Sequence, residues 1–283
     1  LPGKYADLFG GGAEALKLVN PISSDLSTMR PSLLPNLISA IRKNADRGTN
    51  DSALFELGPQ FLGETPSDQV MAVSGVRVGK TGPRNWAETP RSLDVFDVKA
   101  DVMDLLLKIG VSMSSTKVST ETPKWYHPGR SGSVQLGPKM VLAHFGEIHP
   151  TIVKELDLDD RILGFEVFLD ALPLLKADKV SSRTKLELSP YQSIERDFAF
   201  IVDDNIAAEA VINAAQTADK NLVTEVRIFD LFSGGGIGDG KKSIAITVVM
   251  QPIKATLTET EIDGVCNRII ENVNESTGGD LRS

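Results

Sequence analysis

The 283-residue sequence predicts an α+β protein of two domains, 1–178 and 189–283. Three observations carry that class. Ser243 to Met250 alternates with the period of a strand, placing Ile244, Ile246, Val248 and Met250 on one face and Ser243, Ala245, Thr247 and Val249 on the other. Ile262, Val265, Cys266, Ile269, Ile270 and Val273 recur at i, i+3, i+4 and i+7, the period of one helix face. Between these patterned regions and the first half lies Ala177 to Lys185, polar and without period, which marks a linker.

In chain order, Met29-Arg30-Pro31-Ser32 leads into a helix with Ser32 as its N-cap and Pro35 in its first turn. Leu33, Leu34, Leu37, Ile38 and Ile41 lie along one side. Ala53 to Gly58 and Gln69 to Val78 read as strands, and antiparallel pairing is their simplest connection. A helix over Lys99 to Ile109 follows, with Val102, Leu105, Leu106 and Ile109 apolar and Phe96 expected to pack beneath it. Strand-like runs at Lys117–Thr120, Ser131–Leu136, Met140–Phe145 and Ile162–Leu169 complete the first domain, with a short helix from Pro150 to Leu156.

The second domain is the more legible. Arg196 to Val202 is aromatic and β-branched and stops at the Asp203-Asp204-Asn205 turn cluster. Ala207 to Ala218 is rich in helix formers, with an apolar stripe at Ala210, Val211 and Ala214. Leu222–Phe232 and Ser243–Met250 are strands joined through a run whose glycines supply the positive φ of a hairpin tip. Thr258-Glu259-Thr260-Glu261 is a capping box, Gly278-Gly279 ends the last helix, and Asp280-Leu281-Arg282 is a short final strand. The order βαββαβ is that of the ferredoxin-like split unit, with both helices on one sheet face.

Tyr191, Ile194-Glu195-Arg196-Asp197, Val226-Arg227-Ile228-Phe229-Asp230, Gly240-Lys241-Lys242-Ser243 and Thr256-Leu257-Thr258 are similar to the ferredoxin-fold anticodon-binding domain. That domain ends the bacterial phenylalanyl-tRNA synthetase β subunit. The first half agrees. Asn20 to Ser24, Met29 to Pro35, Asn44, Leu54 to Gly58, Phe96 to Lys99, His127 to Arg130 and Gly146 to Pro150 resemble, in order, the catalytic-like module of the same subunit. The resemblance implies a class II synthetase-like antiparallel sheet with helices, serving as a scaffold for a catalytic α subunit in a heterotetramer of two α and two β chains. It also implies upstream tRNA-binding, editing and helical modules, and phenylalanine tRNA as a partner. ATP and magnesium belong to the whole enzyme, and neither is expected to be bound by this part. The rival class is a free-standing regulatory or RNA-binding protein built on a ferredoxin-like module.

No catalytic residue is expected in this stretch. In catalytic class II relatives an arginine shortly after the strand glycine faces the α-phosphate, where negative charge grows in the transition state. Here Leu57-Gly58-Pro59-Gln60-Phe61-Leu62-Gly63-Glu64 offers apolar and acidic residues. Arg30 and Arg130 are the remaining cations near motif positions, and a structural role suits their Pro/Gly turns better. Glu56, Glu147 and Glu166 are not placed together by any pattern. Gly235 to Lys241 has phosphate-loop spacing, but Lys242 stands where Ser or Thr is needed and a strand follows instead of a helix. His127, His144 and His149 are read as residues in or beside turns, and no metal site is expected.

Composition is that of a soluble globular chain, 41% hydrophobic and 24% charged. No apolar run reaches the roughly 20 residues of a membrane helix, and the one cysteine suits a reducing, cytoplasmic setting. The net charge of −8 opposes a general nucleic-acid footprint, and from Ser189 onward eight Lys and Arg face fifteen Asp and Glu. Local contact remains open. Arg196, Arg227, Lys241 and Lys242 lie near strand ends or the hairpin, Ser243 lies on a face of small side chains, and Phe229 or Phe232 offers a ring for stacking. These residues are the candidate tRNA contacts, against the alternatives of a solvated surface and of core aromatics.

Overall fold

The structure, a computed structural model, describes residues 1–11, 13–173 and 188–282, and the chain divides into two units, Leu1–Arg183 and Thr184–Ser283. The linker expected at 177–185 lies outside the described residues.

Unit 1 comprises α1 (Gly3–Leu8), α2 (Leu34–Ala45), β1 (Ser52–Phe61), β2 (Gln69–Val78), α3 (Val95–Ile109), β3 (Thr116–Ser119), β4 (Tyr126–Leu136), β5 (Met140–Ile148), α4 (Pro150–Glu155) and β6 (Ile162–Phe168). Among the described residues six strands form one sheet in the order β1-β2-β6-β5-β4-β3, every ladder antiparallel. β1 runs on through Pro59 to Phe61, beyond the expected end. A proline without an N–H is tolerated there because β1 is an edge strand. The apolar side of α2 packs Leu34, Leu37, Ile38 and Ile41 against Val76, Val78, Ile148 and Ile162. α3 packs Val98, Val102 and Leu106 against Phe145, Leu163, Phe165 and Val167 on the opposite face. β6 is covered on both faces, and six consecutive residues from Ile162 to Val167 are buried. Glu166 is the charged exception.

Several expectations are corrected in detail. Ser32 stands one residue before the N-cap Leu33, yet its Oγ still accepts the Leu34 N–H at 3.1 Å. α3 begins at Val95, capped by an Asp94–Asp97 capping box. Phe96 is therefore carried off the Val98, Val102, Leu106 stripe and is 69% exposed instead of packed under the helix. β4 starts at Tyr126, with an irregular register through His127 to Arg130 before the ladder resumes at Ser131. His144 lies inside β5, paired with Glu166 and Ser133, and not beside a turn.

Unit 2 has β7 (Ile194–Asp203), α5 (Ala208–Thr217), β8 (Val223–Phe232), β9 (Lys241–Met250), α6 (Glu259–Thr277) and β10 (Asp280–Leu281). The sheet order is β10-β7-β9-β8, the ferredoxin-like arrangement, with antiparallel ladders throughout. Ile244, Ile246, Val248 and Met250 meet Val211, Ala214, Ala215, Ile262, Val265, Ile269 and Val273, so both helices sit on the expected face. Ala215 joins the stripe of α5, while Ala210 stays half-buried. Gly236, Gly238 and Gly240 at the hairpin have φ of 103°, 95° and 72°, conformations closed to most other residues. α6 carries the capping box at Thr258 and Glu261.

Candidate nucleic-acid interface

Within unit 2, among the described residues, no helix packs on the second face of the sheet. Residues paired across antiparallel strands share a face, so the ladders define this surface. It carries Glu195, Asp197, Ala199, Ile201 and Asp203 from β7, Lys241, Ser243, Ala245, Thr247 and Val249 from β9, and Glu225, Arg227, Asp230 and Phe232 from β8.

The predicted contacts are divided by this geometry. Arg227 lies on the bare face, but its guanidinium is held by Glu195 at 3.0 Å and by Glu225 at 3.5 Å. Lys241 lies on the same face and is exposed. Ser243 faces the same way yet is only 3% exposed, and Ala245 7%, so the small-residue floor is not open along its whole length. Phe232 is the ladder partner of Ser243, and the Arg282 guanidinium lies 5.8 Å from its ring centroid. Arg196 pairs with Val248 and so lies on the helix side, where its charge opposes the rise that burial imposes on the Cys266 thiol pKa. Lys242 pairs with the buried Val202, and its Nζ donates to the Asp204 carbonyl at 2.7 Å. Phe229 is the extra residue of a β-bulge between Ile228 and Asp230, 58% exposed and outside the ladder's alternation.

The surface therefore carries charges of both signs at both ends. Toward Thr247 and Val249 it bears Glu195, Asp197 and Glu225, with Arg227 neutralised among them. Toward the hairpin it bears Phe232, Arg282 and Lys241 among Asp203, Asp230 and Asp280. Arg282 escapes a sequence reading because it joins the face only through β10, whose backbone continues to the Arg282 N–H donating to the Ala199 carbonyl at 2.7 Å.

Unit 1 holds a polar row across its sheet on the α2 side: Glu56, Ser74, Glu166, His144 and Ser133 are successive ladder partners. Two of the three glutamates thus share a row that no sequence pattern shows. Glu166 is 2% exposed, and its Oε1 accepts from Ser32 Oγ at 2.6 Å and Gln60 Nε2 at 3.0 Å. Its Oε2 accepts from Tyr126 at 3.2 Å and Trp125 Nε1 at 3.3 Å. Burial raises the Glu166 pKa above the usual carboxylate value, against four donors that each lower it. His144 is desolvated beside Tyr126 and Phe168, which lowers its pKa to about 4.

The cations near motif positions are engaged. Arg30 pairs with Glu56 at 2.5 Å and donates to the Pro59 carbonyl at 3.0 Å, lying where a side chain on Gly58 would stand. Arg130 holds Glu147 with two hydrogen bonds, of 2.6 and 2.9 Å, and keeps that carboxyl below its usual pKa. His127 and His149 stack with ring centroids 6.3 Å apart. Among the described residues no three His, Cys, Asp or Glu side chains gather as a metal site.

A six-stranded antiparallel sheet covered on both faces, followed by a helix-backed βαββαβ sheet with one bare face, defines an α+β protein whose second unit is ferredoxin-like. Residues 3–169 match the family described as the phenylalanyl tRNA synthetase beta chain CLM domain, and residues 189–282 match the ferredoxin-fold anticodon binding domain. The chain is 49% identical over 283 residues to the phenylalanine–tRNA ligase beta subunit of Rhodospirillum rubrum and 48% over 282 residues to that of Paramagnetospirillum magneticum. Each alignment covers 100% of this chain and 35% of the relative. The beta subunit of Mesorhizobium japonicum is 46% identical over 286 residues. This chain belongs to the phenylalanyl-tRNA synthetase beta chain family, and it spans about a third of the length of these relatives.

Proposed function

We propose that this chain is the C-terminal part of a phenylalanine–tRNA ligase β subunit, acting in the cytoplasm, in which unit 2 engages the anticodon region of phenylalanine tRNA and unit 1 supports a catalytic α subunit. The observation that carries the reading is the bare sheet face of unit 2, in a chain that matches the two family domains in order. Small side chains and a ring on a solvent-facing sheet suit unpaired bases, which offer π-faces and edges that a duplex hides.

Unit 1 supplies no residue for adenylate chemistry in this reading. ATP and magnesium are used by the whole enzyme, and Arg30 and Arg130, the cations near motif positions, are already bound to carboxylates. The α subunit is assigned the α3 side of the β1–β2 hairpin, where Phe55 is 77% and Leu57 58% exposed. Phe55 there borders a cleft with Val73 and Leu105 beside the Arg77–Asp101 ion pair. Apolar area of this kind is typical of obligate interfaces.

Co-expression with the α subunit and light scattering test the assembly. A tetramer of two α and two β chains is expected, weakened by a Phe55→Ser, Leu57→Ser double substitution. A chain that stays monomeric beside α contradicts the reading. The pure 283-residue chain is expected to show no phenylalanine-dependent pyrophosphate exchange, and measurable exchange refutes the silent scaffold.

A further inference from the structure

We propose that the loop between β2 and α3 is a docking finger whose Trp86 indole seats in an apolar pocket of the α subunit, with Arg84 meeting a carboxylate at the rim of that pocket. The proposal rests on the reading that unit 1 supports an α subunit, and it adds the contacting residues and the chemistry of the partner surface.

The loop is held firmly at both ends. At its base Lys80 and Ser92 form an antiparallel bridge, the Thr81 N–H donates to the Arg91 carbonyl at 3.0 Å, and the Leu93 N–H donates to the Gly79 carbonyl at 3.1 Å. Leu93 is buried in the α3 core, and Arg91 ties the loop to the start of α3 through two hydrogen bonds to Asp97, of 2.8 and 2.7 Å. Farther out, Asn85 Oδ1 accepts the Ala87 and Glu88 N–H groups, each at 2.9 Å, and Asn85 Nδ2 donates to the Pro83 carbonyl at 3.3 Å. Pro83 and Pro90 fix φ on either side. What this frame holds out is Trp86, 98% exposed. An indole offers roughly 150–250 Å² to a partner, and a loop already ordered loses little entropy on binding.

Three observations assign the occupant. The ring is uncovered by any described part of the chain, so the surface that receives it belongs to something else. The finger is pinned to α3, which begins with the exposed Phe96 and, farther along, lines with Leu105 the cleft bordered by Phe55. It therefore extends the side of unit 1 assigned to the α subunit. The charges favour protein over RNA. Arg84 is an exposed cation two residues before the ring, and Trp with Arg is the pairing most enriched among residues that dominate protein interfaces. Glu88 follows the ring by two residues and Arg91 is held by Asp97, so the loop offers no track of cations to a phosphate backbone.

Two measurements test the finger. In the first, p-benzoylphenylalanine replaces Trp86 in a complete β chain assembled with α and phenylalanine tRNA, and the complex is irradiated. An adduct with α is expected. An adduct with tRNA, an adduct within the β chain, or no adduct overturns the proposal. In the second, α is titrated into the 283-residue chain and assembly is followed by sedimentation. Trp86→Ala is expected to weaken assembly by about 10-fold or more, Trp86→Phe by less, and Arg84→Ala by about 2- to 5-fold. Trp86→Ala is also expected to leave the circular dichroism and urea midpoint of the free chain unchanged, since nothing packs on the ring, and this separates docking from folding. Unchanged assembly in Trp86→Ala, beside weakened assembly in the Phe55→Ser, Leu57→Ser variant, overturns the finger and leaves the supporting role of unit 1 standing. Failure of the wild-type chain to assemble with α overturns both.

Discussion

His144 is the side chain whose chemistry the fold alters most. Held near a pKa of about 4 against an ordinary 6.5, it binds fewer protons folded than unfolded throughout that window. Stability from this residue is thus complete above pH 6.5 and is lost as pH falls toward 4. By pH 5 the loss is about 2 kcal/mol. Glu166 opposes this, because its raised pKa favours the folded state at low pH and loses that benefit as pH rises. Urea unfolding at pH 7 and pH 5, followed by tryptophan fluorescence, compares wild type with His144→Gln. Both tryptophans, Trp86 and Trp125, lie in unit 1, so the signal reports that unit. A shallower pH dependence is expected in the variant, and an identical one contradicts the account. Glu166→Gln turns one acceptor oxygen into a donor facing either Trp125 and Tyr126 or Ser32 and Gln60. It is expected to cost about 1–3 kcal/mol in the same assay at pH 7. No sequence pattern reveals this row, because its members lie on five strands and meet only when the register is known. The same reason hides the pairing of Arg282 with Phe232.

At the scale of elements the sequence is far more informative. α6 and β9 were legible to within two residues because capping chemistry and period agree there, and tertiary packing uses the face that the pattern marks. Ile246 is fully buried at the centre of that packing, and Ile246→Ala is expected to lower unit 2's stability by about 2–5 kcal/mol, read as a lower thermal midpoint by circular dichroism. A change below about 1 kcal/mol would mean that the two helices do not rest on this strand as described. β8 was legible as a strand but not in facing, since its bulges at Thr224 and Phe229 shift the alternation twice. Those bulges, with Glu225 and Asp230, also keep a long apolar edge from pairing with another chain, a useful device where Ile228, Phe229 and Leu231 are exposed. The start of α3 was missed because Asp94 and Asp97 look like ordinary loop charges until they are seen to bond each other's backbone N–H groups. Asp94→Ala is expected to cost about 1 kcal/mol of unit 1 stability by urea titration, and no loss would show that the cap is not needed.

For the whole molecule, the proposed function asks an acidic chain to meet RNA through a sheet face on which cations and carboxylates are mixed. Net charge of −8 keeps general phosphate affinity low, so binding here is expected to add discrimination at the loop while the remainder of the enzyme supplies most of the affinity. The order of the two units was readable from short blocks of sequence, whereas the make-up of unit 2's bare face was not, because facing depends on ladder register and on which cations are already bound to carboxylates. The most direct measurement is nuclease footprinting of phenylalanine tRNA on the assembled α–β enzyme, with and without residues 189–283. Protection of the anticodon loop is expected with the complete β chain and is lost on deletion, while protection elsewhere persists. Unchanged protection of that loop after deletion would contradict the assignment of unit 2 to the anticodon.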